Sequence, residues 1–209
     1  MYKFGGFFMA LVLFFMAPSS MAAEALVGQY LDHTGASITV SLLDNGKGRI
    51  DLNNEAYFLI DGQNIWVIST YLDDQWTKND FVERTKEAVL ASPGMLQKYT
   101  YVSVVDTGYV SEIMGYESKT FEVTVAGTGE VYELILSQNK DVARLSKAIM
   151  IFFQDMSQPI GSRDVIELIN DKLKSDYGVL KLDRELTLNK VERREYDSGY
   201  FEIPVQFQK

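Results

Sequence analysis

Apolar and polar residues alternate with a period of two in the first half of the chain. Residues 37–42 and 49–52 show this alternation most clearly, as expected of strands with one buried face. Turn-forming residues such as Asp44-Asn45-Gly46 separate these segments at intervals of about ten residues, with no helical pattern between them. The pattern predicts an antiparallel meander with strands at residues 37–42, 49–52, 56–60, 65–71 and 75–77.

The second half of the chain mixes strand and helix patterns. Further strands are predicted at residues 99–105, 116–125, 131–136, 179–182, 186–191 and 200–205. One helix is predicted to begin at Asp80, and two more are predicted at residues 141–156 and 162–177. The helix at 141–156 carries an apolar stripe at helical spacing, formed by Leu145, Ala148, Ile149, Phe152, Phe153 and Met156.

The first 23 residues have the pattern of a secretory signal peptide. Lys3 supplies a positive charge, residues 4–17 form an apolar segment, and small residues precede a cleavage point after Ala22 or Ala23. The alternative is an uncleaved membrane anchor, but a spanning helix needs about 20 apolar residues and this segment is shorter. We therefore predict a cleaved leader at residues 1–23 and one mature domain at residues 24–209.

Composition narrows the compartment and the partners of this domain. The chain has 29 Asp and Glu against 20 Lys and Arg, a formal net charge of −9. This balance disfavours nucleic acid and anionic membrane surfaces as partners, because both require a basic surface. The chain contains no cysteine, which rules out disulfides and lipid attachment at a cysteine after the leader. We expect a periplasmic protein with no stable membrane insertion once the leader is cleaved.

Catalytic and metal-binding patterns are weak. His33 is the single histidine and lies in a turn-like segment, so a metal site of histidine and cysteine ligands has almost no residues to draw on. A Gly-x-Ser-x-Gly motif is absent, and Gly127-Thr128-Gly129 has neither the lysine nor the helix that a phosphate-binding loop requires. We therefore predict no catalytic residue, no metal and no cofactor, with a hydrolase that uses carboxylates alone as the least favoured alternative.

The helix at 141–156 is the best candidate for a functional surface. Residues 148–153 are apolar without interruption, and Met150 lies outside the main stripe. A helix that is apolar almost all round is either enclosed in the core or contacts a second apolar surface. Trp66 adds an aromatic group from a predicted strand, although such residues also stabilise sheets. The predicted ligand-binding residues are Ile149, Met150, Phe152, Phe153, Met156 and Trp66.

The order of elements and three short segments resemble a known family. These segments are Asp61-Gly62 followed by Ile65-Trp66-Val67, then Gly115 to Phe121, then Phe201-Glu202-Ile203-Pro204. They are similar to an uncharacterised family of exported bacterial β-rich proteins, a domain of unknown function. That family is similar in fold to the periplasmic lipoprotein carriers of the outer-membrane sorting pathway. The resemblance implies an α+β fold, a strongly curved antiparallel sheet in the form of an open half-barrel. About three helices would pack on its concave face, where the carriers hold acyl chains.

Two functional hypotheses follow. The first is a periplasmic binding protein that holds an apolar ligand, such as a lipid or acyl chain, in the concave face of the half-barrel. The alternative is an interaction module that docks an envelope protein through an edge strand or an aromatic patch. The patch would be formed by Tyr57, Phe58, Trp66, Tyr71 and Trp76.

Overall fold

The structure is a computed structural model that describes residues 22–52, 56–61, 64–69, 74–77, 101–125, 129–157, 171, 175–183 and 186–204. These residues contain eleven strands, one long helix, α1, and a 3-10 turn at Ser198–Phe201. In chain order the elements are β1 (Ala22–Asp32), β2 (Ser37–Leu42), β3 (Gly48–Asp51), β4 (Ala56–Asp61), β5 (Asn64–Ser69), β6 (Asp74–Thr77), β7 (Tyr101–Ile113), β8 (Tyr116–Val125), β9 (Val131–Ser137), α1 (Lys140–Ser157), β10 (Gly178–Leu182) and β11 (Leu186–Asp197).

All eleven strands belong to one antiparallel sheet with the order β6-β5-β4-β3-β2-β1-β11-β10-β9-β8-β7. Strands β1–β6 form one meander, and β7–β11 form a second. The two meanders meet where β1 pairs with β11, with Ala22 opposite Asp197 and Asp32 opposite Leu186. Among the strands that the structure describes, β6 and β7 are therefore the two edges of the sheet.

The predicted open half-barrel with about three helices on its concave face is wrong. The sheet is one broad antiparallel layer, neither closed nor strongly curled, and the described residues contain one long helix. A half-barrel requires a strongly curled sheet with its helices on the concave face, whereas here α1 packs on one face of a broad sheet. In this sheet the first and last strands of the chain pair in the interior of the row, which leaves β6 and β7 at opposite edges. The helix predicted to begin at Asp80 and most of the helix predicted at 162–177 lie outside the described residues.

Most local predictions within the described residues are confirmed. Strands β2 and β8 have their predicted bounds, and the helix predicted at 141–156 is α1 with one more residue at each end. Strand β1 is absent from the predicted strands, although only its first two residues fall in the predicted leader. The strand predicted at 200–205 is wrong over residues 200–204, where a 3-10 turn ends at Phe201 and no strand follows, and residue 205 lies outside the described residues. Asp197 caps this turn by accepting a hydrogen bond from Gly199 N at 2.8 Å.

Helix α1 packs on one face of the sheet, which we call the helix face. Asn139 caps its N-terminus, because the Asn139 Oδ1 atom accepts hydrogen bonds from the backbone N–H groups of Asp141 and Val142. Leu145 and Ile149 are completely buried beneath the helix. They belong to a core with side chains from both meanders, including Leu26, Tyr30, Val40, Leu180 and Leu188. The helix thus covers the junction of the two meanders.

Two glycines allow α1 to lie directly on the sheet. A Cβ atom at Gly178 on β10 would lie 2.5 Å from the backbone of Val142, too close for any real contact. A Cβ atom at Gly28 on β1 would lie 2.8 Å from a δ-methyl of Leu145. The Ser146 hydroxyl adds to the contact by accepting a hydrogen bond at 3.0 Å from the next residue of β10. Helix and strand therefore meet backbone against backbone at Gly178.

Replacement of Gly178 by alanine should lower the free energy of unfolding by about 1–3 kcal/mol, because the helix backbone must move away from β10. The matched control is Gly28→Ala, which should cost less, since the flexible end of Leu145 can give way. Urea denaturation of both variants measures the difference. Equal losses for the two glycines would contradict the backbone contact at Gly178.

Candidate functional site

The predicted ligand-binding residues do not form one site in the part of the chain that the structure describes. Ile149 is completely buried in the core on the helix face, where it contacts the protein's own side chains. Trp66 is on the opposite face of the sheet, packed beside Tyr57, Leu59 and Ile68. The sheet itself therefore separates Trp66 from Ile149.

The other four predicted residues are Met150, Phe152, Phe153 and Met156. Their backbone belongs to α1. Their side chains lie outside the described part of the structure. Binding of an apolar ligand at these residues therefore stays a prediction, without the half-barrel that was expected to surround it.

The face of the sheet opposite α1 is covered by the chain after β11. Residues 198–204, which we call the strap, cross this face. Phe201 of the strap is buried against Ala25 and Val27 of β1. Farther along the strap, Ile203 packs against the cluster of Tyr57, Leu59, Ile68 and Trp66. The strap thus covers apolar side chains of the first meander from β1 to β5.

Arg49 on β3 fastens the strap to the sheet. Its guanidinium lies between two rings, with the carbon Cζ 3.5 Å from the centre of Tyr57 and 4.1 Å from that of Tyr200. The Nε and Nη2 atoms donate to Asp51 Oδ1 at 2.8 and 2.7 Å, and Nη1 donates to the carbonyl of Tyr200 at 3.4 Å. The phenol of Tyr200 donates to Asp51 Oδ2 at 2.6 Å. We call these four residues the Arg49 clasp.

The charges of Arg49 and Asp51 cancel within the clasp, and the polar groups of the clasp form hydrogen bonds with one another. Burial, followed by the hydrogen bond to Asp51, raises the pKa of the Tyr200 phenol, so the phenol stays protonated as the donor. Tyr196 extends the arrangement by stacking on Tyr200, with ring centres 4.3 Å apart. Two residues after Tyr200 in the strap, Glu202 accepts a hydrogen bond from Lys47 at 2.9 Å. This pattern is that of a structural fastening, since no group in it is poised for proton transfer.

Strand β7 is the longer edge of the sheet, with 13 residues against four for β6. It exposes large apolar side chains: Val105 is 51% exposed, Tyr109 64% and Val110 52%. Met114, in the turn after β7, is also exposed. An edge strand presents backbone N–H and C=O groups that no neighbouring strand satisfies. Exposed apolar side chains on such an edge are typical of a docking surface.

A bulge interrupts β7 between Asp106 and Val110. The Thr107 hydroxyl donates to the carbonyl of Thr120 on β8 at 2.8 Å, which holds the bulge against the sheet. Gly108 has a positive φ of 73°, and its N–H donates to the carboxylate of Asp106 at 2.8 Å. The bulge divides β7 into two regular segments and projects Tyr109 outward.

A cavity of about 280 Å³ lies beside the turn between β7 and β8, near the start of α1. The buried hydroxyls of Ser118 and Ser137 line it, but they donate to the carbonyls of Ser111 and Glu117 at 3.0 and 2.7 Å. These hydroxyls are thus used by the fold. The other lining residues are Gly115, Tyr116, Glu117, Lys119, Leu136, Gln138, Asn139 and Tyr177.

The described residues give little basis for catalysis or metal chemistry. No group of three His, Asp or Glu side chains among them is arranged to hold a metal ion. His33 is exposed in the turn between β1 and β2. Beside it, the Thr34 hydroxyl and backbone N–H groups lower the pKa of the Asp32 carboxyl, whereas a general acid requires a raised pKa. The absence of enzyme activity stays a prediction.

No helix in the described ranges combines the length and apolar character needed to cross a membrane.

Comparison of the chain with models of protein families, with curated proteins and with solved structures finds no match. The resemblance to the exported β-rich family therefore stays a prediction.

If Phe152 and Phe153 line an apolar site, replacement of either by glutamine should abolish uptake of a fluorescent fatty acid, because a polar amide in that lining is unfavourable for an acyl chain. Probe fluorescence measures uptake, and circular dichroism checks the fold. The control is Lys147→Gln on the exposed side of α1. Absence of uptake by the wild-type protein would contradict the apolar site.

Replacement of Arg49 by lysine should lower the free energy of unfolding by about 1–2 kcal/mol, because lysine keeps the charge but loses the stacked, forked geometry. The control is Arg193→Lys, an exposed arginine on β11 that pairs with Glu24, for which we expect a change below about 0.5 kcal/mol. Urea denaturation measures both. Equal stability of Arg49→Lys and the wild type would show that the clasp does not fasten the strap.

Proposed function

We propose that this chain is an exported, periplasmic binding protein without catalytic activity, which docks a partner protein by accepting an extended segment of it beside β7. The observation that carries this proposal is the long edge strand with exposed apolar side chains. In strand addition, backbone hydrogen bonds to the edge supply affinity, and alternate side chains supply specificity. The export part of the proposal is supported by the leader-like pattern of residues 1–23.

The register of β7 on β8 places apolar contacts on both faces of the edge. Val105 lies opposite Glu122, and Val110 lies opposite Lys119. Glu122 and Lys119 are three residues apart on β8, so their side chains lie on opposite faces of the sheet. Val105 and Val110, which lie opposite them, therefore also point to opposite faces. A strand added beside β7 would cover both valines with its own alternating side chains. Such contact would remove apolar surface that is now in water.

Other surfaces fit docking less well. In the first meander, Phe58 faces the core under the helix face, whereas Tyr57 and Trp66 lie on the strap side. The predicted aromatic patch is thus divided between two faces, and Tyr57 is engaged by Arg49. Strand β6, the other edge, is only four residues long. The proposal therefore places docking at β7.

Three soluble peptides test this proposal. Each has valine at every second position, with lysine, serine or glutamate in the positions between. Hydrogen exchange of the β7 amides is measured with and without each peptide, because an added strand protects the edge amides from exchange. We expect protection within residues 103–113 by at least one peptide. If none of the three protects this strand, docking at the edge is refuted.

Replacing both Val105 and Val110 by serine should weaken binding of the protecting peptide by roughly 3- to 10-fold, because the peptide's valines share one face and lose an apolar contact on whichever face they occupy. The matched control is Val131→Ser, which changes an equally exposed valine on β9. All these valines are exposed, so the fold should be kept. Equal affinity of the double variant and the control would contradict contact at β7.

A further inference from the structure

Acidic side chains dominate the part of the sheet around β7. Residues 101–125 and 129–137 contain six carboxylates and one lysine, Lys119. Lys119 lies 3.9 Å from the carboxylate of Asp106, so its charge is shared with a neighbour. On β10, Lys181 lies 3.6 Å from Glu133. The remaining charge at this edge is strongly negative.

The strand register adds two unfavourable contacts between like charges. Glu112 on β7 is directly opposite Glu117 on β8, and Glu122 on β8 is directly opposite Glu133 on β9. Like charges at directly opposed positions destabilise a sheet. Within the described residues, no ion pair involves Glu112, Glu117 or Glu122. A cation bound beside these carboxylates would relieve the repulsion.

The same charges argue against self-association at this edge. Two copies of the chain meeting at β7 would bring Asp106 and Glu112 against the same residues of the second copy. Charged side chains and bulges are devices by which proteins keep edge strands from pairing with one another. They exclude a partner of like charge and leave the edge open to one of opposite charge.

We infer that the segment docked by β7 is cationic, an extended stretch of a partner protein in which apolar residues alternate with lysine or arginine. The inference rests on the proposed docking at β7 and adds the chemistry of the partner. The apolar positions lie on the face of Val105, and the basic positions lie on the opposite face, which carries Glu112 and Glu117. Association is steered by charge and weakens as salt screens it.

The three peptides separate this inference from the docking on which it rests. The lysine peptide should bind with the lowest Kd, and its Kd should rise between about 0.05 M and 0.5 M salt. The serine peptide should bind more weakly with little salt dependence, and the glutamate peptide should not bind. Calorimetry gives the Kd values, and hydrogen exchange locates each peptide.

The double variant Glu112→Gln/Glu117→Gln should raise the Kd of the lysine peptide by roughly 3- to 10-fold and leave that of the serine peptide unchanged. The control is Glu195→Gln on β11, which removes a carboxylate directly opposite Glu24, four strands from β7. This control has the same chemistry in a like-charge pair away from the edge, and it should leave both Kd values unchanged.

Equal Kd values for the lysine and serine peptides, with β7 protected by both, would overturn the cationic partner and leave edge docking in place. Binding of the lysine peptide without protection of residues 103–113 would overturn both, because charge alone would then explain it. A change in Kd of the same size in Glu195→Gln and in the double variant would also overturn the inference, since it would reflect net charge and not the carboxylates at the edge.

Discussion

Strands β1 and β11 are the first and last strands in chain order, and they pair in the interior of the sheet. The pairing runs from Ala22 opposite Asp197 to Asp32 opposite Leu186. Each meander needs only pairing between successive strands, but this contact joins segments far apart in sequence. Loop-closure entropy rises only slowly with loop length, so the burial at the junction can offset it. Leu26 on the helix face and Val27 on the strap face show that β1 is buried on both sides. The core under α1 exists because this pairing brings the two meanders together.

The strap depends on the same contact, since it continues directly from β11. The register of β11 on β1 decides where Tyr200 falls relative to Arg49. A shift of one residue would turn the alternating side chains of β11 to the other face and move Tyr200 away from Arg49. The Arg49 clasp therefore stabilises one register, through charge-assisted hydrogen bonds and cation–π contacts each worth about 1 kcal/mol or more in partly buried surroundings. Register, strap and clasp support one another.

Local sequence patterns are sufficient for most elements of this fold and insufficient for their arrangement. Alternation identifies β2, and the apolar stripe with Asn139 before it identifies α1. The long-range pairing of β1 with β11 leaves no local pattern, so a half-barrel was a reasonable but wrong expectation. Strand β1 is buried on both faces, so residues 25–28 form a short apolar run without alternation, which is a weaker strand pattern. Residues 106–113 of β7 lack the alternation of a half-buried strand because most of their side chains are exposed on both faces of the sheet.

The candidate site was missed in the sequence for a related physical reason. Apolar residues are normally interpreted as core, and the exposure of Val105 and Val110 becomes evident only when the strand order places β7 at an edge. A closed barrel would have paired this strand and removed the edge. An open sheet keeps it, and must then prevent the edge from pairing with a second copy. The bulge at Thr107 and the carboxylates of Asp106 and Glu112 serve that purpose. Because the same carboxylates attract basic residues, protection against self-association and selection of a cationic strand arise from one set of charges.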